Sequence, residues 1–157
     1  MIRTNSDIGA NQQRFYILVG DKENWEISIE KKLWGFTKKS KGEWNTTKPN
    51  DLVAFYVTSP VKKIIGFGIV TDKLSNEDLV WMDEKRFKRS LWQYKIHFDI
   101  FHVCKDWKEG INIPSTIFLQ VSRRVIKKDV FLKLVNEADT KWNSTIHSMM
   151  KPLIIEK

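Results

Sequence analysis

The stretch Arg14 to Thr37, RFYILVGDKENWEISIEKKLWGFT, constrains this chain more than any other. An apolar run, Phe15 to Val19, stops at Gly20-Asp21, which reads as a strand closed by a turn. Asp21 or Asn24 then caps a short helix running to about Lys31, with Trp25 and Ile29 on one face. Leu33 to Phe36 returns as an extended apolar segment, so Trp34 is delivered beside Gly35. A strand–helix–strand unit of this kind can assemble a pocket from local sequence, because a glycine turn, a polar helix start and a large ring come together.

The rest of the chain alternates in the same way. Lys38 to Lys48, KKSKGEWNTTK, reads as a basic loop turning at Gly42. Pro49-Asn50-Asp51 leads into a strand over Leu52 to Thr58, and Ser59-Pro60 ends it. Lys63 to Thr71 is the next strand and should pair with it as a hairpin. Gly66 and Gly68 share one side of that strand, where missing side chains let a backbone or ring come close. Asn76 to Ser90 is polar and irregular, with room for one helical turn. Leu91 to Val103, LWQYKIHFDIFHV, alternates and is expected to be the longest strand, with Trp92, Tyr94, Ile96, Phe98, Ile100 and His102 on one face. Trp107 to Pro114 is a loop. A helix over Lys128 to Glu137 carries the stripe Val130, Phe131, Leu134 and Val135. A weaker helix over Thr140 to Met150 ends at Pro152. The order of elements argues for an α+β fold with a mostly antiparallel, curved sheet. The domain plan is a polar leader over 1–13, a single domain over 14–150 and a C-terminal tail or linker over 151–157.

Composition narrows the function classes. The apolar runs are far shorter than the roughly 20 residues of a membrane helix, and no membrane partner is expected. Cys104 is the lone cysteine, which excludes an intrachain disulfide and fits a reducing, cytoplasmic setting. The 27 Lys and Arg against 19 acidic residues give a net charge of +8, which favours a polyanionic partner. There are seven tryptophans, of which at least four are expected to fill the core. Positive charge joined to surplus aromatics is the composition of a surface that stacks bases.

Catalytic and cofactor motifs are missing. His97 and His102 have opposite strand parity, and with His147 they make no metal-ligand spacing. No Gly-rich phosphate loop and no nucleophile elbow occurs. Neither a cofactor nor a metal is expected. The one enzymatic candidate is Asp83-Glu84-Lys85, a carboxylate pair beside a lysine of the kind a metal-dependent nuclease uses.

Six segments, in order, resemble the EVE domain family of the PUA-like superfamily, which also holds the YTH domains. They are FYILVG, ENWE with KKLWGFTKK, KPNDLVAFYV, KIIGFGIV, LWQYKIHFDI and LQVSRRVIKKDVFLKL. The resemblance implies a small, strongly curved β-barrel flanked by helices, and a binding module rather than an enzyme. Relatives of this kind take a flipped or unstacked modified base into an aromatic cage. Some serve as the reader of a restriction motor directed to 5-methylcytosine, and YTH domains recognise N6-methyladenine in RNA.

By that resemblance Trp34 is the first cage wall, Asn24 the edge reader, and Gly20 and Asp21 line the same pocket. The second wall stays open among Trp81, Phe87 and Trp92. Ser122, Arg123 and Arg124 match a basic strand that contacts phosphates, and Lys38, Lys39 and Lys41 are further phosphate candidates. YTH domains carry a polar residue directly after the cage Trp, where this chain has Gly35. The residues read alone keep plainer roles in play: Trp34 as core, Asn24 as helix cap, the lysines as a solvated loop, and Trp44 as a pocket cover or a loop staple. The leading expectation is a reader of methylated cytosine or adenine in nucleic acid, with a motor domain on the same full-length chain as a partner to look for. General RNA binding without modification readout and metal-dependent nuclease activity are the alternatives.

Overall fold

The computed structural model of this chain describes residues 12–117 and 119–155. The polar leader expected over 1–13 lies outside the described residues up to position 11. In chain order the elements are β1 (Phe15–Gly20), α1 (Lys22–Lys31), β2 (Leu33–Phe36), α2 (Lys41–Thr46), β3 (Leu52–Val57), β4 (Lys63–Ser75), α3 (Met82–Phe87), β5 (Tyr94–Val103), β6 (Arg123–Ile126), α4 (Lys128–Trp142) and α5 (Ile146–Met150). The six strands form one curled sheet in the order β2-β5-β4-β3-β1-β6.

Four of the five strand pairings are antiparallel; β1 and β3 run parallel, from Phe15 opposite Leu52 to Gly20 opposite Val57. Both strands are central and buried on both faces, which is why each reads as a continuous apolar run. Phe15 and Ile17 face one core with Phe67, Phe131, Leu134, Val135 and Ala138. Tyr16 and Leu18 face the other, with Trp25, Trp34, Phe55, Ile96 and Phe98. At roughly 1.5–3 kcal/mol for each fully buried large apolar side chain, the two layers supply the dominant stabilisation.

The β3–β4 hairpin forms as the sequence predicts. The longest strand is β4, of 13 residues, while β5 begins only at Tyr94. Register shifts at Phe67/Gly68 and Val70/Asp72 let β4 bend and serve two partners, β3 along its first half and β5 along most of its length. A Cβ on Gly66 would lie 2.6 Å from the His102 carbonyl oxygen, and one on Gly68 2.4 Å from that of Asp99. The ring of Phe55 covers both glycines.

Three other expectations need correction. The basic loop after β2 is a 3₁₀ turn (Lys38–Ser40) followed by α2, with Gly42 inside the helix. Contacts from outside hold α2 in place: the Trp44 indole N–H donates to the Lys95 carbonyl oxygen at 2.8 Å, and Arg123 donates to the Glu43 carbonyl oxygen at 2.9 Å. Trp44 thus staples the loop. The first C-terminal helix runs on to Trp142, where Asn143 in the left-handed region ends it. Asp139 then accepts from the Ile146 and His147 N–H groups and starts α5, which is shorter than the span from Thr140. Trp25, Trp34 and Trp81 are buried, while Trp44, Trp92, Trp107 and Trp142 are half-buried. Residues 151–155 lie against the body, with Ile154 packed on the first core and Gln13 bonded to the backbone of Leu153 and Ile155. Among the described residues no helix is long and apolar enough to cross a membrane.

Candidate nucleic-acid interface

The site begins where β1 ends. Asp21 caps α1, accepting the Asn24 backbone N–H at 2.8 Å, and this fixes Asn24 in the first turn. Its carboxamide has no protein partner among the described residues. One residue on, Trp25 is fully buried and donates to the Tyr56 carbonyl oxygen at 2.8 Å. The chain leaves α1 through Lys32, in the left-handed region at φ 55°, and β2 lays Trp34 onto Trp25. Their rings stack at 4.4 Å between centroids and 24° between planes. The Trp34 indole N–H is buried and has no hydrogen-bond partner among the described residues.

The opposite wall arrives from the segment between β4 and β5. Trp81 and Trp92 meet edge to face, with centroids 5.5 Å apart. The Trp81 indole N–H donates to Ser28 Oγ on α1 at 3.0 Å, both residues being buried. Val19, Gly20, Asn24, Trp34, Gly35, Trp81, Trp92 and Ser122 enclose a cavity of about 210 Å³. That is below the ~300–1,000 Å³ of sites for drug-sized ligands and leaves room for one small planar group.

Glycine sets the shape of this cavity. A Cβ on Gly35 would lie 2.4 Å from the Trp92 Cβ and 2.8 Å from Trp81 Cη2, so both rings close over β2 only because that position is bare. A Cβ on Gly20 would lie 2.4 Å from Trp34 Cη2.

Trp92 also borders a second groove of about 580 Å³, lined by Thr37, Lys38, Lys39, Arg89, Ser90, Leu91 and Gln93. The cavity and this basic groove therefore share one ring. Lys41 lies apart from both, its ammonium 5.4 Å from the centre of the Tyr94 ring. Another groove, of about 590 Å³, lies at the β6 edge between Gln13 and Lys128, and among the described residues its aromatic lining is Phe15.

Of the residues the sequence singled out, Trp34, Asn24, Gly20, Trp81, Trp92 and Ser122 meet at the cavity. Asp21 caps the helix instead of lining the cavity. Phe87, at the end of α3, is 63% exposed and stays outside. Arg123 spends Nη1 on the Glu43 carbonyl oxygen at 2.9 Å and Thr47 Oγ1 at 2.7 Å, and stacks over the Tyr16 ring at 4.3 Å. Its burial lowers its pKa. Arg124 is exposed on β6. Ser122 donates to Glu43 Oε2 at 2.8 Å, which ties the cavity rim to α2.

The Asp83-Glu84-Lys85 triplet does not converge. Asp83 pairs with Arg86 at 3.0 Å, while Glu84 is fully buried and turned to backbone donors. No group of three or more His, Cys, Asp or Glu among the described residues is placed to hold a metal. Cys104 is buried, and desolvation pushes its thiol up to about 11.

The fold is YTH-like. The YTH domain of Mmi1, solved as a complex with RNA, superposes with a TM-score of 0.56 at 16% identity, covering 91% of this chain and 87% of that one. The Pho92 YTH domain, solved in complex with m6A, gives 0.55 at 11% identity, covering 80% of this chain and 82% of that one. The ZmASCH protein of Zymomonas mobilis, solved as a point mutant, gives 0.52 at 11% identity over 79% of this chain and 98% of that one. At such identities the likeness concerns the fold alone. No family model and no curated protein matches the chain.

Sequence reasoning missed Ser28, Glu84, Val19 and Arg89 at this site. Glu84 was in view as half of a nuclease pair, but its spacing from Trp81 has no capping signature because Trp81 is not a capping residue. Arg89 carried no signal beyond its charge.

Proposed function

We propose that this chain reads a modified base in a single-stranded stretch of nucleic acid, by enclosing that base between Trp34 and the Trp81–Trp92 wall. The observation that carries the reading is a cavity of about 210 Å³ with aromatic walls and, among the described residues, two unpartnered polar groups, the Trp34 N–H and the Asn24 carboxamide. Taking a base out of its stack costs a few kcal/mol. Stacking on aromatic faces returns about 1–3 kcal/mol per base. A methyl group adds about 0.8 kcal/mol of burial. The Asn24 amide reads the base edge with one donor side and one acceptor side. Lys38, Lys39 and Arg89 then neutralise flanking phosphates in the adjoining groove. The chemistry asked of the site is binding, with no bond made or broken.

Methylated adenine in RNA is the first ligand to try, since the Pho92 YTH domain of the same fold was solved with m6A. Methylated cytosine in DNA is the second, and it belongs with the finer proposal that this is an EVE domain targeting a restriction motor in the cytoplasm. The test is a binding panel of short RNA and DNA strands with and without these methyl groups, for the intact protein and for Trp92→Ala. One modified strand should bind about tenfold tighter than its unmodified twin, and Trp92→Ala should remove that preference. Equal affinity across the whole panel would overturn the reading.

A further inference from the structure

We propose that Glu84 is the positioning residue of this pocket: its carboxylate holds both tryptophans of the second wall at their working separation. The inference rests on the reading of the cavity as a base cage. Glu84 is fully buried, yet no cation forms a salt bridge with it among the described residues. A carboxylate out of water is costly unless its lone pairs are filled. Here the donors come from the two chain segments that bear the wall. Oε1 accepts the backbone N–H groups of Val80 at 2.9 Å and Trp81 at 3.2 Å. Oε2 accepts those of Leu91 at 2.9 Å and Trp92 at 3.1 Å, with Ser90 Oγ at 3.4 Å. One oxygen therefore gathers the segment entering α3 and the other gathers the segment leaving it.

This arrangement needs two acceptor oxygens. Glutamine has the same shape but one acceptor, and its NH₂ would face N–H donors at whichever end it occupied. Aspartate is one methylene shorter and cannot reach both segments from the same backbone position. Trp81 keeps a second anchor through Ser28, so Trp92 is the wall that a Glu84→Gln change releases. Buried Lys95, whose ammonium feels the Glu84 charge, pins the start of the segment: it donates to the Asn76 carbonyl oxygen at 3.0 Å and the Asp78 carbonyl oxygen at 3.4 Å.

The experiment labels the protein with 5-fluorotryptophan and assigns the Trp25, Trp34, Trp81 and Trp92 lines by single Trp→Phe changes. In Glu84→Gln the Trp92 fluorine line should shift and broaden while the Trp25 and Trp34 lines stay in place. Asp83→Asn, on the same helix turn, should move none of them. Affinity for an RNA strand bearing one N6-methyladenine should fall about tenfold, while affinity for the unmodified strand stays within about twofold because the phosphate contacts remain. An unmoved Trp92 line with a preserved preference overturns the proposal. If Glu84→Gln does not fold, hydrogen exchange on the unaltered protein decides. The amides of Val80, Trp81, Leu91 and Trp92 lie outside helices and strands, yet they should exchange about a hundredfold slower than free loop amides. Loop-like exchange at all four overturns the proposal. A protein that prefers no modified base refutes the reader function, and the fluorine and exchange results still judge Glu84.

Discussion

Gly35 and Trp92 decide the width of the cavity between them, and they offer a cleaner test than Trp34. Trp34 is only 5% exposed and stacked on Trp25, so Trp34→Ala should cost about 3–5 kcal/mol of stability as well as any binding. A loss of affinity in that variant would not separate cage from core. Gly35→Ala places a methyl against the Trp92 Cβ and the Trp81 ring. It should abolish the preference for a modified base at a stability cost of about 1–3 kcal/mol, the usual range for overpacking. Titration and thermal melting on the same sample read both quantities, and an intact preference would mean the ring does not enter over β2. The places of Asn24 and Trp34 in the chain were legible in sequence because a capped helix and the strand after it fix them locally, while their facing a pocket was implied only by the family resemblance. Trp81, Phe87 and Trp92 were not separable there, since the path of the chain between β4 and β5 chooses among them. Glu84 sets that path from inside the fold.

The basic groove and the strand β6 divide the arginines and lysines into two kinds. Lys38, Lys39 and Arg89 line an open groove beside Trp92. Changing all three to Ala should flatten the dependence of log affinity on log salt by about two units, at roughly 0.7 for each phosphate on a single strand. Arg123 is committed to Glu43, Thr47 and the Tyr16 ring, so Arg123→Ala should lower the melting temperature and leave the salt slope unchanged. The reverse pattern in a salt titration would restore Arg123 to the phosphate-binding set. The same division explains which elements the sequence revealed. β1, α1, β3 and α4 carry their apolar periods locally and were readable. α2 has no apolar period, and its short, mostly polar run turns helical only because the Lys95 carbonyl accepts from Trp44 and Arg123 donates to the Glu43 carbonyl. The parallel β1–β3 pairing was hidden too, because pairing direction depends on how α1, β2 and α2 carry the chain back across the sheet.

Across the molecule, a buried polar cluster joins β1 to the residues entering β3 and to β6. The Tyr16 hydroxyl on β1 donates to Asp51 Oδ2 at 2.8 Å. Asp51, just before β3, also accepts the backbone N–H groups of Arg14 and Lys48 at 3.0 and 2.9 Å. Arg123 of β6 covers the Tyr16 ring. Burial, and after it the charge of Asp51, pushes the Tyr16 phenol well above its ordinary 10.0. The native state therefore keeps a proton that the unfolded chain releases near that value. The stabilisation is complete below the unfolded pKa and is lost as pH rises through the folded one, so stability should decline from about pH 10 upward. Tyr56, raised by its own desolvation, adds to the same decline. Tyr16→Phe removes the ionising group, and its melting temperature should fall less steeply over that alkaline window. Its stability should start lower at neutral pH, by about 1–3 kcal/mol, because Asp51 loses a donor while still buried. Melting curves taken in steps from neutral to alkaline pH compare the two slopes, and parallel curves for the two proteins would place the alkaline sensitivity elsewhere in the molecule.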